Sequence, residues 1–188
     1  MKYFILEEEQ KDPLPKIGYW FGTLGPESNT TRFFTTPVWV MLDAEIHSTT
    51  LYADVLSYPC ILLSEKAAKV FDMYLDQQIF KRVVLMSKKS QTSLVYFLAK
   101  LPRCSFLGEE SEYDKIKSHV IRGILDQEKL EEVPIFLLGE VTKPTLIIRE
   151  DAAESLLRRG IKGIKLQEIE LRRGGADDNK RRSDHNWN

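Results

Sequence analysis

Three histidines, two cysteines and a surplus of carboxylates are the residues of this 188-residue chain that could do chemistry. His47, His119 and His185 stand far from one another and from Cys60 and Cys104, so none has the close spacing that presents ligands to zinc. His47 beside Ser48 is the nearest thing to a base next to a nucleophile, and it lies in polar sequence that reads as surface loop. Gly18, Gly22 and Gly25 punctuate a loop without the Gly-Lys-Ser/Thr ending of a phosphate-wrapping loop. The chain has no Gly-x-Ser-x-Gly elbow, His-Glu-x-x-His helix or dinucleotide fingerprint. Carboxylates abound, yet general acid–base work needs two of them paired in space, which spacing along a chain does not fix. The expectation is a protein without catalysis, metal or cofactor.

The carboxylates that do cluster are Glu109, Glu110, Glu112 and Asp114, at the start of "GEESEYDKIKSHVIRGIL". Ile116, Val120, Ile121 and Leu125 fall near helical spacing behind them, with Ser111 or Asp114 as N-cap, so the stretch is predicted as a helix. Two readings of the acidic group stay open: a favourable charge at a helix N-terminus, or a docking patch for a basic partner. Glu7, Glu8 and Glu9 read as a solvated strand end or loop, with an acidic recognition patch the alternative.

The elements that would carry these residues follow from periodicity. Tyr3–Leu6, "PVWVML" from Pro37, Ile61–Leu63, "VVLM" from Val83 and "PIFLLGEV" from Pro134 read as strands. "SLVYFLAKLP" is a buried strand or helix ended by Pro102, and "KDPLPKIGYW" is loop or edge. "PCILLSEKAAKVFD" from Pro59 and "PTLIIREDAAESLL" from Pro144 share a proline, an aliphatic run, a glutamate and an Ala-Ala pair. Each reads as a strand entering a helix. In the first, Ser64 is the N-cap and Ala67, Phe71, Tyr74, Leu75 and Gln78 form the stripe. In the second, Glu150 and Asp151 open the helix, Ala153, Leu156 and Leu157 are its buried stripe, Arg158 and Arg159 close it, and Gly160 stops it. A strand "IKLQEIEL" follows, whose Ile164 and Leu166 are out of phase with Ile169 and Leu171; a bulge near Gln167 or Glu168 would reconcile them. The fold class is α+β: a mixed β-sheet with flanking helices, built from two similar strand-helix-strand units.

With 43% hydrophobic and 29% charged residues the chain can bury a core, and its length suits one domain over residues 1–171. Residues 172–188, "RRGGADDNKRRSDHNWN", are too polar to join it and read as a mobile tail. A net charge of −1 supplies no field for nucleic acid or an anionic membrane. The apolar run at Tyr3–Leu6 is too short for a signal peptide or membrane span, so a cytoplasmic protein is expected. Cys60, in an apolar run, reads as a small buried hydrophobe. Tyr19, Trp20, Phe21 and Trp39 read as core filling, with an interface the alternative.

Three segments carry a family resemblance. "CILLSEKAAKVFDMYL" is similar to a strand, Ser-Glu turn and helix; "YFLAKLPRCSFLGEESEYD" to a double-aromatic strand and the Ser-Glu-Tyr segment after it; and "IFLLGEVTKPTLIIREDAAESLLRRGIKGIKLQEIEL" to a closing section with its Gly-x-x-Gly and final strand. Together they resemble the bacterial immunity protein family numbered eleven in the polymorphic toxin nomenclature, over roughly residues 58–171. The chain departs from the family pattern at Ala99, Lys100, Arg103, Cys104 and Ser105, where the family has asparagine and then acidic residues. The resemblance implies a protein that binds a cognate toxin domain and covers its active site, with no catalysis and no cofactor; the composition adds no nucleic acid and no membrane, and the acidic cluster Glu109, Glu110, Glu112 and Asp114 is the candidate toxin interface. The alternative is a non-catalytic binding or regulatory module for another protein or a small molecule.

Overall fold

The run "FKRVVLMS" alternates apolar and polar side chains and forms β6 (Phe80–Ser87), which turns back into β7 (Thr92–Ala99). Gln91 takes the left-handed conformation in the turn, and the Ser87 hydroxyl accepts the Ser90 N–H at 3.3 Å. This computed structural model describes residues 1–9, 14–18, 24–30, 39–46, 52–75, 80–130 and 133–172, with backbone alone at 39 and 40. The assignments for Tyr19, Trp20, Phe21, Gly22, His47, Ser48, Gln78, His185 and residues 173–188, and the side chain of Trp39, lie outside the described residues.

Around that hairpin the second half of the fold is a six-stranded mixed sheet. Its order is β2 (Lys16–Ile17), β3 (Trp39–Glu45), β6, β7, β5 (Leu62–Leu63), β4 (Val55–Leu56), with β3 and β6 parallel and the other pairs antiparallel. The first sheet also has six strands. Its order is β11 (Ile124–Asp126), β14 (Ile164–Arg172), β1 (Tyr3–Glu8), β13 (Leu146–Arg149), β12 (Ile135–Leu138), β8 (Arg103–Cys104), parallel only at the two edges. Among the described residues two helices, α1 (Glu65–Phe71) and α2 (Glu150–Arg158), follow β5 and β13. The class is therefore α+β, with strand dominant. The strands on either side of α1, β5 and β6, both pair with β7; those on either side of α2, β13 and β14, both pair with β1.

A central core joins the halves. Leu63, Val55 and Ala99 of one sheet meet Leu6, Leu137, Leu146 and Ile148 of the other, with Ala67, Ala68 and Phe71 of α1 and Ala152, Ala153 and Leu156 of α2 between them. Each large aliphatic fully buried here stabilises the fold by ~1.5–3 kcal/mol. The helices run antiparallel: Lys66 Nζ donates to the Gly160 carbonyl at 2.8 Å near one pair of ends, and the Tyr74 hydroxyl to the Asp151 carbonyl at 2.9 Å near the other. Ser64 caps α1, accepting the Ala67 N–H at 3.2 Å while donating to Asp54 at 2.6 Å. Gly160, at φ +63°, ends α2.

Five sequence assignments need correction. First, α1 stops at Phe71, so Tyr74 and Leu75 reach the core from the turns beyond it. Leu157 is 57% exposed, because the contact face of α2 is set by Ala152, Ala153 and Leu156. The helix predicted over the acidic segment is absent: β9 (Glu112–Tyr113) and β10 (Val120–Arg122) form an antiparallel pair there, followed by β11. Lastly, β14 has no bulge; its pairing with β1 is unbroken from Ile164 to Ile169. The phase change is physical: Ile164 and Leu166 pack on the central core, while Ile169 and Leu171 pack on the opposite face with Tyr3, Phe136 and Leu138. One straight strand is covered first on one side and then on the other. It also extends to Arg172, one residue into the stretch read as tail.

Among the described residues no helix is long and apolar enough to cross a membrane. Cys60 is buried, and burial raises its thiol pKa.

Candidate partner-binding site

The segment from Phe106 to Arg122 is built by side chains that satisfy backbone groups outside any helix. The Asp114 carboxylate accepts the N–H of Ser118 at 2.5 Å and of His119 at 3.0 Å, and the Ser118 hydroxyl at 2.8 Å. These bonds close a turn in which Lys117 adopts φ +51°. Ser111 donates its hydroxyl to the Ile124 carbonyl and accepts the Ile124 N–H, both at 3.1 Å. The two residues that looked like helix caps therefore spend their oxygens on a hairpin and on β11, which is how Ser and Asp compete with helix formation. Ile116 and Ile121, at 77% and 62% exposure, form no buried stripe.

The hairpin is tied to the sheet from two further sides. The Thr142 N–H donates to the Lys117 carbonyl and the Lys143 N–H to the Ser118 carbonyl, at 3.1 and 3.0 Å. Glu140 Oε1 accepts the Leu107 N–H at 2.8 Å, while its Oε2 is buried with no hydrogen-bond partner among the described residues. Lys117 lies 5.4 Å from the centre of the Tyr113 ring. Burial, with Glu140 adding its negative charge, raises the Tyr113 pKa.

The four carboxylates of the predicted interface are placed differently from one another. Glu109 and Glu112 are exposed, and Glu112 stands opposite Arg122 in the β9–β10 pair. Glu110 pairs with Arg172. Arg172 and Arg122 both bind Glu170, at 2.7 and 3.1 Å, and hold its carboxyl below the usual range. Asp114 belongs to the turn; the His119 N–H above all, then the Ser118 hydroxyl and N–H, hold its carboxyl low. The structure thus brings Glu109, Glu110 and Glu112 onto one exposed stretch beside two arginines, and assigns Asp114 to holding that stretch in shape.

Sequence reasoning missed a cleft of about 760 Å³ beside the hairpin, where the end of β1 meets the turn before β13. Glu7, Lys143, Lys165, His119 and Tyr58 supply its polar and aromatic surface, with Ile5, Val120 and Pro144 as apolar wall. Glu7 and Lys165 are register partners on adjacent strands, so opposite charges stand side by side. Glu8 is held by Ser57, whose N–H donates to its carboxylate at 2.9 Å. No short stretch signals it, because β1, the turn at Pro144 and the hairpin reach it from distant parts of the chain. Among the described residues no group of three or more His, Cys, Asp and Glu side chains is arranged to hold a metal. No family model matches the chain and no curated protein matches it, so the likeness to the immunity family stands on the three quoted segments alone.

Proposed function

We propose that this is an immunity protein that binds a cognate bacterial toxin domain in the cytoplasm of the producing cell and neutralises it by covering the toxin's active site. The observation that carries the reading is the acidic stretch. It is exposed, yet Ser111, Asp114, Glu140 and the Thr142–Lys143 backbone hold it rigid. A recognition element ordered before binding loses little entropy on association, as tight inhibition over ~800 Å² per partner requires. Glu109 and Glu112 add charge suited to a basic partner at such an edge. Inhibition of this kind is stoichiometric and needs neither turnover nor cofactor.

In this reading the two strand-helix-strand passages are one scaffold used twice. The matching Ala-Ala pairs at 67–68 and 152–153 are all buried in the shared core, which supports the idea, and so does the way each unit's strands flank a third. The reading is tested by producing the protein with the toxin domain encoded in the adjoining reading frame. A one-to-one complex and restored growth are expected; no complex and no protection would reject it. A second reading, a module for a small molecule, is favoured by the cleft at the end of β1.

A further inference from the structure

The strand β14 has an open lane along part of its outer edge. It pairs with β1 from Ile164 to Ile169 but with β11 only at Glu170, Leu171 and Arg172. The Gln127 N–H donates to the Arg172 carbonyl at 2.8 Å, so Arg172 directs its backbone groups toward β11. Backbone direction alternates along a strand, and Ile164, Leu166 and Glu168 therefore point their N–H and C=O groups the same way. Gly163, on the alternate phase, accepts the Glu9 N–H at 2.9 Å from the β1 side, as the alternation requires. Among the described residues nothing pairs with the outward groups of Ile164, Leu166 and Glu168.

The lane opens because the chain leaves it at Gly123. A Cβ there would lie 2.7 Å from Ile169 Cδ1, so the backbone crosses close over β14 and rises into the β9–β10 hairpin. The lane is closed at both ends. β11 occupies it at Glu170, and the Asp54 N–H donates to the Lys162 carbonyl at 3.0 Å at the other end. From Ile164 to Glu168 it spans roughly 13 Å. A second copy's β14 laid antiparallel in this lane would collide with β11 and with Asp54, which excludes self-pairing. Only a short extended segment fits. Its side chains would alternate, an apolar one beside half-buried Leu166 and polar ones beside exposed Lys165 and Gln167.

We infer that this lane receives a short extended segment of the partner polypeptide, which adds as a strand beside β14; the inference rests on the toxin-binding reading for the identity of that partner. Unpaired strand edges bind extended peptides through their own backbone groups, and the flanking side chains set the choice of sequence. The contact would lie next to the acidic stretch, through Arg172 and Glu110.

Backbone amide exchange tests it. In the protein alone, the amides of Ile164, Leu166 and Glu168 should exchange freely while those of Lys165, Gln167 and Ile169 are protected. In the complex with the toxin domain from the adjoining reading frame, the first three should slow by at least about tenfold. Glu168→Pro, which removes an N–H that has no partner, should weaken the complex about tenfold, and Glu168→Ala should not. Protection of the three amides in the protein alone would mean that its own chain fills the lane, and would overturn the inference. A complex that forms without changing them overturns the lane but leaves toxin binding standing, whereas no complex at all sinks both.

Discussion

Asn29 is a fully buried polar residue. Its Nδ2 donates to the carbonyls of Ile61 at 2.9 Å and Ala99 at 3.0 Å, and its Oδ1 accepts the Ile61 N–H at 2.8 Å. One amide therefore ties the entry of β5 to the end of β7. Asn29→Ala strands one buried N–H and removes a donor from two carbonyls. The N–H costs ~1–3 kcal/mol and each carbonyl, with a second lone pair, ~0.5–1, for a total of about 3 kcal/mol. For a chain of this size that corresponds to a fall in Tm of roughly 6–12 °C. Urea unfolding of wild type, Asn29→Ala and Asn29→Asp provides the assay. The aspartate keeps the acceptor but points a carboxylate at two carbonyl oxygens, so at pH 7 it should be no better than alanine. Its folded pKa would be raised, so its deficit should be smallest below about pH 4, the ordinary carboxylate range, and grow as pH rises. A loss under about 1 kcal/mol for Asn29→Ala, or a wild-type Asn29→Asp at pH 7, would refute the tie.

Gly163→Ala places a Cβ 2.7 Å from the Ala53 Cβ at φ +70°, and should cost about 2–4 kcal/mol by thermal unfolding, with Ala53→Gly restoring only the steric part. Reversing Glu109 and Glu112 to lysine should slow association with the toxin domain about tenfold at low salt and far less at high salt by stopped flow; an unchanged rate would discard the acidic face. The folded-state pKa of Asp114 is depressed, so its stabilising bonds are present at neutral pH and are lost as pH falls through and below the ordinary carboxylate range. Amide exchange at Ser118 and His119 should accelerate there before the core opens. Cys60 should resist iodoacetamide in the native protein at neutral pH and react on unfolding, since burial raises its pKa; rapid native alkylation would contradict the packing.

What the sequence made legible was whatever local chemistry decides. Ser64 before Glu65, the Ala-Ala pairs and Gly160 mark the helices, and the alternation in "FKRVVLMS" marks a strand. The acidic segment misled because apolar spacing there imitates a helix, while Asp114 and Ser111 bond to backbone brought near by the hairpin and by β11. The phase change in β14 was visible, but its cause depends on which layer covers each half of the strand, and that is a tertiary fact. The cleft and the open lane arise where β1, β13, β14 and the hairpin converge from distant parts of the chain, so no short stretch announces them.

The most direct test of the central claim is a titration of the purified toxin domain from the adjoining reading frame, with its activity followed as this protein is added. Activity should fall in proportion and vanish at one equivalent. Full activity at a large excess of this protein would contradict that claim.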